Sequence, residues 1–379
     1  MIKSVIVGSG MMGVVHSEAL HRIPGVEVAA IADVNEAAAK KYAEQLGIPK
    51  YYTDYKEMLA AEKPDVVHIC TPNFLHFEVA KYAIEQGCGV YCEKPLALDS
   101  KQGEELTKLA REKGVPNAVN FNYRNNAMVR DMHERIASGD AGKTYFVHGH
   151  YLQDWLMYDT DFSWRLDPAR NGVSRAVADI GSHWFDTAQF TTGKKITKVF
   201  AKLNTVIPER IKPLAEVATF AKNDGKGETV KIDSEDLAVI MVEFEDGTLG
   251  STVISQISGG HKNDLMLEVD TSKYSMKWEQ ENADKLYVCD RINGNRLIYA
   301  SAGTVTGDAA RFAPIPEGHA VAWKDALKNG INEFYNAVKA GTYKDANQSY
   351  ATFETGWYVL KLVDACLESS KTDKWVEVK

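Results

Sequence analysis

The sequence predicts two domains of different class. The first is an α/β domain built on a doubly wound parallel sheet; the second is an α+β domain with a large open antiparallel sheet. Three observations predict this. A chain of 379 residues is longer than one hydrophobic core supports, so two domains are expected. From residue 1 to 122, short apolar runs alternate with helical segments in units of about 25 to 30 residues, the pattern of parallel strands joined by crossover helices. From residue 123 to 379, longer half-polar runs follow one another through hairpin turns and end in helices, the pattern of an antiparallel sheet.

Composition narrows the class. With 45% hydrophobic and 25% charged residues the chain is ordinary globular material. A formal charge of −8, with no basic patch, argues against nucleic acid and against an anionic membrane surface as partners. The five cysteines, Cys70, Cys88, Cys92, Cys289 and Cys366, sit in apolar or strand-like surroundings and read as reduced buried thiols. Cys88 and Cys92 bracket a strand and lack companion ligands for a metal. A first strand at residue 2 or 3 leaves no room for a signal peptide, and no apolar run approaches the roughly 18 to 20 residues of a membrane span. A cytoplasmic protein is expected.

Taken in order, Val5-Ile6-Val7 is a β-branched strand buried on both faces. A helix follows at once, then a second buried strand at 26–32. Residues 36–46 form a helix with an alanine-rich stripe, stopped by Gly47. Residues 51–52 and 54–61 make a short strand and helix; 65–70 is a strand, 77–86 a helix, 89–92 a strand, 100–113 an amphipathic helix and 117–122 the last strand of the domain. Beyond it, 128–138 is helical and 143–153 alternates like a half-exposed strand. Strands are expected at 199–204, 237–244, 250–255, 265–270, 275–280 and 285–289, with a hairpin turn at 245–248. Helices are expected at 323–340 and 347–369, and the polar run 222–231 reads as an exposed loop.

The start of the chain carries the first chemical signal. Gly8-Ser9-Gly10-Met11-Met12-Gly13 matches G-x-G-x-x-G between a strand and a helix, the Rossmann dinucleotide fingerprint. Gly8 permits the tight turn, Gly10 lets a pyrophosphate approach the backbone, and Gly13 lets the helix pack closely. The helix start, with Met11 and Met12, offers N–H groups and a positive dipole end. Asp33 closes the second strand 20 residues after Gly13 (33 − 13), where a carboxylate accepts hydrogen bonds from ribose hydroxyls and repels a 2′-phosphate. Val34, Asn35 and Glu36 offer no cation for that phosphate. NAD is the expected cofactor.

Three further loops leave the carboxyl ends of strands, where nucleotides bind in such sheets: Thr71-Pro72-Asn73 with His76, Glu93-Lys94-Pro95, and Asn122-Tyr123-Arg124. The proline restricts Lys94 and aims a cation at the crevice. In the second domain Asp179, His183 and Asp186 stand at helical spacing in ADIGSHWFDTA. By spacing alone this is an acid–base site, a divalent metal site, or a helix cap with a core histidine.

The combination GSGMMG, Asp33, TPNFLH, EKP and DIGSHWFD, in this order, resembles the Gfo/Idh/MocA family of NAD(P)-dependent oxidoreductases, which includes inositol dehydrogenases, glucose–fructose oxidoreductase and glycoside 3-dehydrogenases. The resemblance spans the whole chain in layout and is densest between residues 5 and 190. It implies catalytic roles for Lys94, Asp179 and His183, and no catalytic metal. Along the cofactor it places Gly8, Gly10, Met11, Met12, Gly13, Asp33, Thr71, Asn73, His76, Glu93, Lys94, Asn122, Trp164 and Arg165. The substrate side is expected at Lys94, Arg124, Tyr151, Gln153, Asp154, Asp179, His183 and His319. The implied activity is reversible oxidation of a secondary ring hydroxyl of a sugar, glycoside or cyclitol. NAD-assisted elimination or glycoside cleavage without net redox, and a non-catalytic NAD or sugar sensor, are the alternatives. Subunits are expected to associate as a homo-oligomer through the antiparallel sheet.

Overall fold

A computed structural model describes residues 1–214 and 225–379. The chain forms two compact units, Met1–Asn125 with Lys324–Leu360, and Asn126–Trp323 with Lys361–Lys379.

The first unit is a six-stranded parallel sheet. Its strands are β1 (Ile2–Val7), β2 (Val26–Ala32), β3 (Lys50–Tyr52), β4 (Val66–Ile69), β5 (Gly89–Cys92) and β6 (Asn117–Val119), in the order β3-β2-β1-β4-β5-β6. The order reverses between β1 and β4, so the crevice expected of a doubly wound sheet opens at the ends of these two strands. Helices α1 (Met11–His21), α2 (Glu36–Leu46), α3 (Tyr55–Glu62), α4 (His76–Glu85) and α5 (Ser100–Lys113) make the crossovers. Local chemistry sets their ends. The Asn35 side chain accepts the Ala38 N–H at the start of α2, and Gly47 ends it at a φ of 66°. Val5, Val7, Val67, Ile69, Val90 and Leu106 are fully or almost fully buried in the core, each worth about 1.5–3 kcal/mol of transfer free energy.

The second unit holds α6 (Ala127–Ala137), α7 (Pro168–Asn171), α8 (Ser182–Thr192) and a nine-stranded sheet. The sheet order is β16-β15-β14-β13-β7-β12-β11-β8-β17. These strands are β7 (Thr144–Leu152), β8 (Ile196–Asn204), β11 (Leu237–Phe244), β12 (Leu249–Ser255), β13 (Asp264–Thr271), β14 (Ser275–Glu279), β15 (Lys285–Cys289), β16 (Arg296–Tyr299) and β17 (Val376–Glu377). All neighbours are antiparallel except β7 and β12, which run parallel. The long excursion through α7 and α8 between them allows that pairing. α8 packs on β7 and β13. In β11, Ala238, Ile240, Val242 and Phe244 point to the covered side, while Val239 and Met241 are exposed.

Several details depart from the sequence reading. Residues 227–231 are a strand, β10 (Gly227–Lys231), paired with β9 (Glu209–Pro213); residues 222–224 of the expected loop lie outside the described residues. β6 ends at Val119, and Asn122–Asn125 is a single tight turn. α9 (Trp323–Ala340) begins and ends where expected, but α10 (Phe353–Thr372) starts six residues later than 347. From Lys324 to Leu360 the chain packs with the first unit, not the second. The apolar stripe of α9, with Leu327, Ile331, Phe334 and Tyr335 buried, requires it. Gly330 lies so close that a Cβ there would sit 2.5 Å from the Asn125 amide nitrogen.

Candidate functional site

In the first unit the predicted residues gather at the carboxyl ends of the strands. Gly8 turns the chain at a φ of 102°, which only glycine adopts without strain. A Cβ on Gly13 would lie 2.1 Å from the Gly8 oxygen, so the third glycine lets α1 close on the turn. Gly10 differs: among the described residues, no atom other than those of Gly10 and its chain neighbours lies within 4 Å of where its Cβ would be. The protein's own packing leaves this space open beside the start of α1, where no side chain caps the helix. Uncapped N–H groups with room in front of them suit a pyrophosphate. Met11 is exposed and Met12 half-buried at the same turn.

Asp33 follows β2. Its Oδ2 accepts the Ser9 N–H at 2.8 Å and the Ser9 hydroxyl at 2.7 Å, and its Oδ1 accepts the Asn35 N–H at 2.9 Å. The carboxylate therefore also ties the glycine turn to the second strand. After β4, the Thr71 Oγ1 is buried with no hydrogen-bond partner among the described residues, which a polar group of a bound dinucleotide would satisfy. Asn73 is buried close by in sequence. His76 is buried, with Nδ1 2.7 Å from the Pro95 oxygen and Nε2 2.9 Å from the Thr71 oxygen. It joins the two turns. Burial pushes its pKa down against the pull of these carbonyls.

Glu93, after β5, is buried. Its Oε1 accepts from His16 Nε2 at 2.8 Å and Asn120 Nδ2 at 2.6 Å, and its Oε2 accepts the Lys94 N–H at 3.3 Å. Burial alone would raise its pKa; the His16 bond and charge, the Asn120 bond and the Lys94 charge hold it below the ordinary value. Lys94 is half-buried. Asn122 and Arg124 are buried in the turn after β6.

In the second unit the chain enters α8 through one π-turn, Val177–Gly181. Glu235 anchors its approach: its Oε1 accepts from the Ser174 hydroxyl (2.7 Å), the Arg175 N–H (2.9 Å) and the Val177 N–H (2.9 Å). Asp179 is thus no helix cap. Its Oδ2 accepts from Gln256 Nε2 at 2.9 Å, and its Oδ1 lies 3.5 Å from Arg165 Nε. Gln256 Oε1 in turn accepts from Arg175 at 3.2 Å, and Arg175 pairs with Asp236. His183 is 6% exposed, with the Tyr151 ring edge-on at 6.1 Å. The Tyr151 hydroxyl donates to Asn263 Oδ1 at 2.5 Å, which also accepts from Gln153 Nε2 at 3.2 Å. Trp155 Nε1 donates to Gln153 at 2.7 Å, and the Arg165 guanidinium lies 4.5 Å from the Trp164 ring and 6.0 Å from that of Trp155.

One network therefore gathers Tyr151, Gln153, Trp164, Arg165, Asp179 and His183. Of the substrate-side residues expected in this unit, it leaves out two. Asp154 Oδ2 takes Lys262 Nζ at 2.5 Å and the Gly260 N–H at 3.0 Å. His319 is exposed, with Nδ1 3.1 Å from the Pro316 oxygen. Among the described residues, the one His/Cys/Asp/Glu set with ligand atoms close enough for a metal is His148, Glu268 and Asp270. Asp179, His183 and Asp186 do not form such a set.

Residues 2–121 match the model of an oxidoreductase family with an NAD-binding Rossmann fold, GFO/IDH/MocA, and residues 129–277 match the C-terminal domain of the same family. The chain belongs to the Gfo/Idh/MocA family. It is 29% identical to a levoglucosan dehydrogenase of Pseudarthrobacter phenanthrenivorans, over 98% of this chain and 97% of that one. It is 30% identical to a D-glucoside 3-dehydrogenase of Escherichia coli, over 51% of this chain and 54% of that one. A solved levoglucosan dehydrogenase in complex with NADH and levoglucosan superposes with a TM-score of 0.89 at 26% identity, covering 100% of this chain and 99% of that one.

As a Gfo/Idh/MocA protein the chain carries its recognised motifs on residues that sequence reasoning missed. Gln256, just after β12, holds Asp179, and Asn263, just before β13, holds Tyr151; neither belongs to a motif. Asp236 and the guanidiniums of Arg175 and Arg210 are fully buried together. The one available signal was Glu235-Asp236, an acid pair entering an apolar strand.

Proposed function

We propose that this protein oxidises a secondary ring hydroxyl of a sugar, glycoside or cyclitol with NAD, reversibly, and that Lys94, Asp179 and His183 carry the proton and charge movements. One observation supports the assignment above the others: a nearly buried imidazole, His183, four residues from a carboxylate that Gln256 and Arg165 hold in place.

The Gly8–Gly13 turn, Asp33 and Thr71 would hold NAD, which when bound supplies the acceptor for the substrate's hydride. His183 takes the hydroxyl proton; histidine titrates near neutral pH and is suited to this transfer. Asp179 orients the substrate or the imidazole. Lys94 donates a hydrogen bond to the reacting oxygen and stabilises its negative charge. Tyr151, Gln153 and Arg124 present polar groups to ring hydroxyls.

The test is a panel of levoglucosan, D-glucosides and inositols with NAD, followed by NADH absorbance and product analysis. The expected result is stoichiometric NADH with a keto product. Aglycone release without NADH growth would indicate cleavage without net redox. Lys94→Ala and His183→Ala should each lower turnover by two or more orders of magnitude, on the scale of acid–base and electrostatic terms, while still binding NAD. Near-normal turnover in both would refute the assignment.

We further propose that two copies pair through the open face of the nine-stranded sheet. Val239 and Met241 of β11 and Leu249 and Val253 of β12 are exposed on neighbouring strands, Val239 opposite Val253, an apolar patch of the kind that marks an interaction surface.

A further inference from the structure

The face of the parallel sheet beneath α1 and α9 is polar where a doubly covered sheet is ordinarily apolar. Ser4 on β1, His68 on β4 and Tyr91 on β5 lie there with His16 of α1 and Tyr335 of α9, and none is more than 2% exposed. They form one hydrogen-bonded line. Ser4 Oγ lies 2.6 Å from the Tyr335 hydroxyl, which lies 2.9 Å from His68 Nε2. His68 Nδ1 lies 2.9 Å from His16 Nδ1, and His16 Nε2 lies 2.8 Å from Glu93 Oε1. The His68 ring is stacked between Tyr91 (5.1 Å) and Tyr335 (5.8 Å), so it cannot turn away from its partners.

Donor logic constrains the line. Glu93 is held ionised and only accepts, so His16 Nε2 carries a proton. If His16 is neutral, its Nδ1 accepts from His68 Nδ1–H, His68 Nε2 accepts from Tyr335, and Tyr335 accepts from Ser4. If His16 is an imidazolium, every bond beyond it reverses. In both states Glu93 receives the same N–H. The line ends on buried Ser4, not in solvent, so it serves to hold a charge and not to conduct protons out.

We propose that His16, His68 and Tyr335 are positioning residues, a buried relay that fixes the Glu93 carboxylate so that its other oxygen holds the turn bearing Lys94. This rests on the role given to Lys94 above. Glu93 Oε2 accepts the Lys94 N–H and His76 pins the Pro95 carbonyl next to it. The turn is thus held on both sides of Lys94, and the relay supplies one of the two anchors. Removing it leaves a buried carboxylate short of a donor, which then protonates or turns.

The experiment compares His16→Leu, His16→Gln and Tyr335→Phe with Lys94→Ala, using levoglucosan or whichever sugar, glucoside or inositol gave the fastest NADH growth. The glutamine amide keeps a donor toward Glu93. His16→Leu should lower kcat about 10- to 100-fold, the range commanded by a lost hydrogen bond to a charged group, with KM and the NAD Kd within about threefold. His16→Gln should restore most of that loss. Tyr335→Phe keeps the ring packing should the leucine variant not fold, and should lower kcat severalfold. Independently of turnover, long-range 1H–15N spectra of histidine-labelled protein should show His16 protonated at Nε2 at neutral pH, its signals assigned by their loss in His16→Gln. Wild-type kcat in His16→Leu or Tyr335→Phe, loss without rescue by glutamine, or a bare Nε2 on His16 overturns the relay. Full turnover in Lys94→Ala instead overturns the role of Lys94, so the two failures are distinguishable.

Discussion

Gln256→Leu isolates what holds Asp179. Gln256 is fully buried and makes two side-chain bonds, Nε2 to Asp179 Oδ2 at 2.9 Å and Oε1 from Arg175 at 3.2 Å. Leucine of similar size fills the space but offers neither. The bond to Asp179 involves a charge and is worth about 1.5–3 kcal/mol. If half of the assigned role of Asp179 depends on its orientation, a loss near 2 kcal/mol lowers kcat about 30-fold. The second lost bond leaves one face of the Arg175 guanidinium unsatisfied, at a further penalty of about 1–3 kcal/mol in stability. Asp179 keeps its Arg165 neighbour at 3.5 Å, so the carboxylate moves without losing all compensation. The assay is kcat with NAD and the best sugar substrate, beside a thermal melt, for Gln256→Leu, Asp179→Asn and the double variant. The melting temperature of Gln256→Leu should fall by about 5 to 10 °C. The double variant should be hardly slower than Asp179→Asn alone, because both changes remove one function. Additive losses would refute a shared function, as would a wild-type kcat in Gln256→Leu.

Asp33→Asn removes the charge but keeps one oxygen for Ser9. Two unit charges about 4 Å apart exchange about 1 kcal/mol in water, and a phosphate near −2 doubles that. The NADP-to-NAD ratio of kcat/KM should rise about 30-fold; a change below threefold counts against Asp33 as the discriminator. Stability should fall in two stages on acidification. Burial pushes His68, His76 and His133 below the ordinary 6.5, so below that pH the unfolded chain binds protons that the folded chain refuses. Each contributes a loss of up to about 1.4 kcal/mol per pH unit. Glu93 and Asp236 are held below their ordinary 4.5 and 3.8, where their partners outweigh burial. Their contribution is full above those values and disappears as pH falls through the lowered ones. A melting temperature flat from pH 7 to pH 5 contradicts the first stage. Val253→Glu places a charge on the exposed sheet face and should convert the proposed pair to monomer in light scattering; a wild-type mass that is already monomeric, or a mass unchanged by the substitution, refutes pairing through this face.

What the sequence disclosed was whatever rests on local spacing. The first strand, the glycine turn and Asp33 are legible because each sits a fixed number of residues from the last; the ranges of β7, β11, β12, β13, β14 and β15 came out within a residue, whereas β8 starts three residues before the expected 199 and the short β9, β16 and β17 were not expected. Relations across hundreds of residues were not legible. That α9 packs with the parallel sheet depends on Tyr335 meeting Ser4 and His68, contacts that no local pattern encodes. The parallel pairing of β7 with β12 is equally remote, since their alternation suits either direction. His68 was hidden in a run, Val66–Ile69, whose other members are apolar; one polar residue there reads as tolerated, whereas the sheet lines it up with Tyr91 on the next strand.

The missed residues share a physical character that explains both their invisibility and their use. Arg175, Arg210 and Asp236 are fully buried; a well-packed apolar set of similar volume is often as stable as such an ion cluster or more so. Stability alone therefore gives little reason to keep them. Asp236 is gripped by both guanidiniums and by the Ile207 N–H, so Arg175 cannot shift without moving a charge through a dry interior, and Gln256 inherits that rigidity and passes it to Asp179. Glu93 is served in the same way by His16 and Asn120. Both candidate carboxylates are thus placed by groups that never reach a substrate, and such placement matters where about 1 Å of looseness in a reacting group can lower turnover 100-fold. Recognition motifs mark the side chains at the end of each chain of contacts. The residues that hold them are set by three-dimensional packing, and a buried arginine looks like any surface arginine until the fold closes around it.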